Sequence, residues 1–203
     1  MARREAVTTG PLAPETLRLA HQGLVALVVV ERGIELALSR RNAARVRGRG
    51  GIEIGAGHYP MIVLLHASFL VCCVLEPVIL DREIRPALFA TMSGVLGLSM
   101  ALRYWAIAAL GDRWNTRVLV EPGVAPVSRG PYRYLAHPNY VAVVLEIAAL
   151  PLAGSAWATA VLFSALNAAM LRVRIRVEER ALHEHCGWRG ERALEVGARE
   201  QRR

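Results

Sequence analysis

The chain has 203 residues, 54% of them hydrophobic, yet it carries a formal net charge of +8 and a mean hydropathy of +0.30. A water-soluble domain of this length rarely combines these features. They fit together if the apolar residues are gathered into membrane-spanning runs and the charges into loops and tail, which is how they fall when read in order.

All 25 basic residues are arginine, a coding bias that points to a GC-rich, bacterial genome. No nucleic-acid partner is expected, and no internal repeat or low-complexity tract is found. The stretch Met1 to Thr16 holds two arginines but no apolar core with a small-residue cleavage site, so it does not read as a cleaved signal peptide.

A spanning helix needs roughly 20 apolar residues, and the first candidate runs from about Leu17 to Leu38 around the core Gly23 to Val30. Glu31, Arg32 and Glu35 lie in its second half. Charge in a bilayer is costly, so these three are expected to face other helices or a wet cavity. The stretch Ser39 to Pro60 then reads as a loop. A second span runs from about Pro60 to Leu80 with His66 and Glu76 as its strongly polar members, and a third from about Pro86 to Leu110. Cys72, Cys73 and Cys186 show no metal-ligand spacing and read as buried thiols.

A polar connector, Gly111 to His137, carries turn signals at Pro122-Gly123 and Gly130-Pro131 that bracket short β-prone pieces. Two shorter apolar runs follow, about Pro138 to Leu152 and Ser155 to Leu171. The breakers Pro151, Gly154 and Ser155 between them predict a tight helical hairpin. From Arg172 to Cys186 the helical rhythm persists while the charge rises, and beyond Gly187 the tail is polar. The fold expected is all-α: one integral membrane domain, 1–203, with about five spans and an amphipathic C-terminal helix.

Arginines set the orientation. Eighteen lie in the stretches after the first, third and fifth spans, against four on the other side. The connector and the C-terminal segment are therefore expected together on the cytoplasmic side of a bacterial inner membrane, within reach of a soluble cofactor.

Tyr132, Tyr134, His137, Pro138 and Tyr140 gather at the mouth of the fourth span. An interfacial aromatic belt is the simpler explanation. Against it stands the imidazole of His137 fixed in place by Pro138, which with aromatic walls makes a pocket suited to an adenine-bearing ligand. At the exit of the fifth span Arg174 and Glu178 fall one helical turn apart. They could be a solvated ion pair contributing about 0.3–0.5 kcal/mol. They could equally place a guanidinium, with its planar fork of donors, to bind an anionic oxygen. The run His183-Glu184-His185-Cys186 looks metal-like, but adjacent and alternate helical positions point to different sides, and no metal site is expected there.

Gly130-Pro131-Tyr132 with His137-Pro138-Asn139-Tyr140, then Arg174-Ile175 and Glu178-Glu179 with Leu182, resembles the isoprenylcysteine carboxyl methyltransferase family. The resemblance covers roughly Leu102 to Leu182 and includes Arg103-Tyr104-Trp105, Leu110-Gly111 and Trp114. It implies S-adenosyl-L-methionine as cofactor, in a cytoplasm-facing pocket between the connector and the last two helices, with a tunnel from the membrane for a lipid-like substrate. By motif position, Tyr132, His137, Pro138, Asn139 and Tyr140 would hold the cofactor, with the backbone of Val124, Ala125, Pro126 and Val127 as one wall. Glu178 would contact the cofactor side and Arg174 the substrate. Ala136 departs from the family pattern, which usually has arginine directly before the His-Pro pair.

The segment Ser39 to Pro60 and Arg113-Trp114-Asn115-Thr116 are similar to a bacterial branch associated with type III polyketide synthases, thought to methylate alkylpyrones. That likeness implies a functional link to such a synthase. Methyl transfer to an acidic oxygen is thus the expected activity. A phospholipid N-methyltransferase, a sterol-type reductase and a non-catalytic membrane scaffold are the alternatives.

Overall fold

A computed structural model describes residues 14–187. The polar tail beyond Gly187 and most of the stretch Met1 to Thr16 lie outside the described residues.

Helix α1, Pro14–Gly48, has 35 residues and is about 52 Å long at 1.5 Å per residue. It continues through the stretch expected to be a loop after Leu38. The cause is a docking partner: Ser39, Asn42, Ala43 and Val46 form a buried stripe, and two of them hydrogen-bond to the connector. The chain then reverses at Gly50 (φ 85°) and at Gly51, where a β-carbon would lie 2.3 Å from Val46 Cγ1.

Strand β1, Ile52–Glu53, pairs antiparallel with β2, Leu119–Val120, in the register Ile52 to Val120 and Glu53 to Leu119. The β-prone connector therefore finds its partner in the segment after α1. Residues 124–127, between the two turn signals, form no strand. A 3-10 turn at Ala56–His58 leads into α2, Tyr59–Ile79, and α3 follows at Pro86–Leu110. Further 3-10 turns occupy Gly111–Arg113 and Gly130–Arg133. The last helices are α4, Pro138–Ala153, and α5, Trp157–Cys186. The run Arg172 to Cys186 is thus the continuation of α5 in one helix.

α2, α3 with its following turn, and α5 are long and apolar enough to cross a membrane. α4 is apolar but shorter, 16 residues or about 24 Å, and α1 is long but charged at its centre. Outward-facing Leu27, Ile34, Leu64, Val71, Val161 and Leu166 are exposed, as lipid-facing residues must be. The chain is an integral membrane protein.

α4 packs between α3 and α5. Val28, Phe69, Leu96, Ile147, Leu150 and Phe163 form the core, with Phe69 and Phe163 edge to face at 5.6 Å between centroids. Glu76 of α2 accepts from the backbone N–H groups of Ala158 (3.1 Å) and Thr159 (2.7 Å). It thereby satisfies amides at the start of α5, whose N-cap residue supplies no side-chain hydrogen bond.

The charges of α1 face inward. Arg32 pairs with Glu35 at 2.7 Å, and Arg103 of α3 pairs with Glu35 (3.6 Å) and with Glu146 of α4. Arg32 also reaches Glu146 at 3.4 Å, and Tyr104 donates to Glu31. Each carboxylate finds a guanidinium or a hydroxyl, the condition for tolerating charge at membrane depth.

His21 of α1 is buried at the α4–α5 turn, with Nε2 3.1 Å from the Leu150 carbonyl. Gly154 lies against its ring: a β-carbon there would sit 2.3 Å from His21 Cε1. Gly154→Ala is therefore expected to destabilise the protein by about 1–3 kcal/mol, the usual cost of overpacking. A melting temperature in detergent equal to that of the parent protein would refute the contact.

Candidate active site

α4 begins where His137-Pro138 makes the chain helical: Pro138 takes the first position, where its missing N–H costs nothing. The helix start presents Tyr140 toward α5. About three and two turns before the end of α5, Arg174 and Glu178 face back. The Tyr140 hydroxyl accepts from Arg174 Nε at 2.9 Å and donates to Glu178 Oε2. Arg174 and Glu178 are thus joined through a tyrosine and not by the direct ion pair their spacing allows.

The rings of His137 and Tyr140 stack at 5.3 Å between centroids, 21° from parallel. His137 Nε2 lies 3.3 Å from Glu179 Oε1. Arg174 and Tyr140 are buried, at 8% and 9% exposure. Nε is the only guanidinium nitrogen of Arg174 with a hydrogen-bond partner among the described residues. The two terminal nitrogens remain for a ligand. Asn139 Oδ1 is buried with no hydrogen-bond partner in the described structure, an acceptor that a ligand's donor would satisfy. Burial raises the Tyr132 phenol above its ordinary value, with the Glu178 carboxylate adding to the shift, so it stays a neutral hydroxyl.

The connector is clamped to the end of α5. Gly123 N–H donates to the His185 carbonyl at 2.8 Å, and the Cys186 thiol lies 3.5 Å from the Glu121 carbonyl. The segment His183 to Cys186 therefore serves as an anchor for the connector. Val124, Ala125, Pro126 and Val127 form a partly exposed loop steadied by Arg113 Nη1 donating to the Ala125 carbonyl at 3.0 Å. Its anchor lies seven residues past Glu178, about 10 Å along the helix axis. Gly130 (φ 61°) packs on Ala109 and Trp105 of α3, and Arg129 Nε donates to the Ala109 carbonyl at 3.1 Å.

At the far side of the connector, Asn42 Nδ2 donates to the Trp114 carbonyl at 2.9 Å, and Ser39 Oγ meets Asn115 Oδ1 and Thr116 Oγ1 at 2.8 Å each. Arg49 grips Glu121 with two bonds, of 2.9 and 2.7 Å, and Asp112 with one of 2.6 Å. The hydrogen bond from Arg117 holds the Glu53 carboxyl below the usual carboxylate range, and Arg47 adds to it.

The structure brings Tyr132, His137, Pro138, Asn139, Tyr140, Arg174 and Glu178 to one end of the bundle, whereas the Val124 to Val127 loop is tethered to Arg113 and the end of α5 and has no hydrogen bond to them among the described residues. Ala136, beside them, is exposed. Sequence reasoning missed Glu146 as the partner of Arg103 and Glu179 as the partner of His137. A lone carboxylate inside the apolar run Pro138 to Leu152 was the signal for Glu146.

The isoprenylcysteine carboxyl methyltransferase family matches residues 92–184. The uncharacterized protein YpbQ of Bacillus subtilis is 40% identical over 162 residues, covering 80% of this chain and 96% of its own. An uncharacterized protein of Haemophilus influenzae is 22% identical over 158 residues, covering 77% of this chain and 91% of its own. No solved structure matches the chain.

Proposed function

The chain belongs to the isoprenylcysteine carboxyl methyltransferase family, and from that premise we propose an S-adenosyl-L-methionine-dependent O-methyltransferase acting on a carboxylate or acidic enol of a lipid-like substrate. The observation that carries the reading is the buried Arg174, fixed through Nε to Tyr140, its outer nitrogens having no hydrogen-bond partner among the described residues. A guanidinium so placed keeps its charge and offers a fork of donors to an anionic oxygen.

The residues present fit the cofactor. The stacked His137 and Tyr140, the Tyr132 hydroxyl, the orphan Asn139 Oδ1 and the Glu178 carboxylate offer aromatic surface, polar handles and a negative charge to a cationic, adenine-bearing molecule. Pro138 sets the backbone beneath them, and Val124 to Val127 close one wall. When bound, the cofactor would supply an electrophilic methyl group on a sulfonium sulfur, transferred to the acceptor oxygen with the neutral thioether as leaving group.

A prenylcysteine carboxylate or a pyrone enol is already anionic near neutral pH, so the chain needs no strong base. Arg174 orients that oxygen, Glu178 holds the position of Tyr140 and offers charge to the cofactor side, and the apolar helices keep water away. α1 and α4 serve as further crossings beside α2, α3 and α5. The site faces the cytoplasm of the bacterial inner membrane, and the alkylpyrone branch would couple the enzyme to a polyketide synthase.

Incubating the purified protein with isotope-labelled methyl donor and total lipid extract is expected to give a labelled methyl ester or enol ether, identified by mass spectrometry. Label on an amine head group would instead identify a phospholipid N-methyltransferase. No labelled product together with no saturable cofactor binding by calorimetry would leave a scaffold.

A further inference from the structure

A second cleft lies at the same end of the bundle, away from Tyr140 and Arg174. It measures about 420 Å³ and opens between α1, the start of α2 and the connector, a size in the range of ligand sites. Its polar side carries Arg40, Arg47 and Arg117 with the hydroxyls of Ser39, Tyr59 and Thr116, and its floor carries Leu36, Ala43 and Val63. Among the described residues, no carboxylate lines it.

Charge in the cleft is not balanced. Arg47 and Arg117 share one carboxylate, Glu53, and Arg117 also sits over the Tyr59 ring at 4.3 Å. Arg40 is exposed and has no ion-pair partner among the described residues. Three guanidinium groups therefore stand against one carboxylate. The hydroxyls are linked, Ser39 to Thr116 at 2.8 Å and Tyr59 to Thr116 at 3.2 Å, so the wall is rigid.

Val63, which lines the cleft, is itself 44% exposed, and its chain neighbour Leu64 on α2 and Ile34 on α1 are 62% and 63% exposed as lipid-facing surface. The cleft thus joins a cationic mouth to a greasy wall, at the ends of helices where a bilayer's head groups lie.

We propose that this cleft binds the phosphodiester head group of an anionic phospholipid, with Arg40 as the principal contact and the acyl chains lying along α1 and α2. A phosphodiester carries one delocalised negative charge on two acceptor oxygens, which suits guanidinium and hydroxyl donors. The acyl chains give a membrane lipid an advantage over a free phosphate at this position. The site is independent of the methyl-transfer reading.

The test is native mass spectrometry of the full chain in mild detergent, with phosphatidylglycerol or phosphatidylcholine added. Phosphatidylglycerol is expected to be retained in preference. Arg40→Gln should lower its retention about fivefold, the effect of one cation near an anionic surface. Arg41→Gln, the same charge change on the neighbouring residue outside the cleft, should change it less than about twofold, and Arg40→Lys should retain most of the binding. Equal losses in the Arg40→Gln and Arg41→Gln proteins, or equal retention of the two lipids, would overturn the site. Displacement of phosphatidylglycerol by an equal concentration of inorganic phosphate would reassign it to a free anion and overturn the lipid proposal, whereas no displacement supports it.

Discussion

Arg174→Ala is expected to lower methyl transfer by about 10²-fold while leaving the protein folded in detergent, the loss that follows when an already anionic acceptor oxygen is no longer held in line with the methyl donor. The side chain is buried at one end of the bundle, and among the described residues its one side-chain hydrogen bond is to Tyr140, whose ring its guanidinium also faces at 5.6 Å. Its removal therefore costs orientation of the acceptor more than stability. Tyr140→Phe separates the two contributions. It keeps the ring that stacks on His137 but breaks the bridge between Arg174 and Glu178, so a smaller drop in rate is expected. Undiminished turnover in Arg174→Ala, measured with the acceptor found by the product assay, would remove the guanidinium from the reaction.

The largest stability effect is expected at Arg103, where Arg103→Leu should cost about 3–5 kcal/mol, the penalty for breaking a buried ion pair from one side. The reason is arithmetic in a low dielectric. Arg103 lies between Glu35 and Glu146, all three nearly inaccessible, and without it Arg32 alone faces both carboxylates. Replacing Glu146 as well, in Arg103→Leu with Glu146→Leu, should recover a large part of the loss, because an apolar pair of similar volume leaves fewer uncompensated charges. Thermal unfolding in detergent reads both. A double variant no more stable than the single one would show that the two residues do not act as a pair.

Much of this was readable in the order of residues. Apolar runs of membrane length, the breakers Gly154 and Ser155, and Pro138 at the head of α4 each act through local chemistry, so α2, α3, α4 and the start of α5 emerged with nearly their final limits, whereas α5 continues from Leu171 to Cys186. Arginine placement set the charge pattern of the loops for the same reason. The cluster from Tyr132 to Tyr140 and the pair Arg174 and Glu178 stood out as residue types gathered at helix ends, and the family resemblance named the chemistry they fit.

Other features depended on contacts between segments far apart in the chain. α1 persists past Leu38 because Ser39 and Asn42 meet Asn115 and Trp114 more than 70 positions later. β2 is a strand because β1 lies beside it. Tyr140 stands between Arg174 and Glu178 although helical spacing alone would join them directly. Glu146 is tolerable in an apolar helix because α1 and α3 bring two guanidinium groups to it. Propensity and hydropathy act over a few residues and were enough to cut the chain into helices. Hydrogen bonds and ion pairs at membrane depth require a partner whose position is fixed only once the helices have packed.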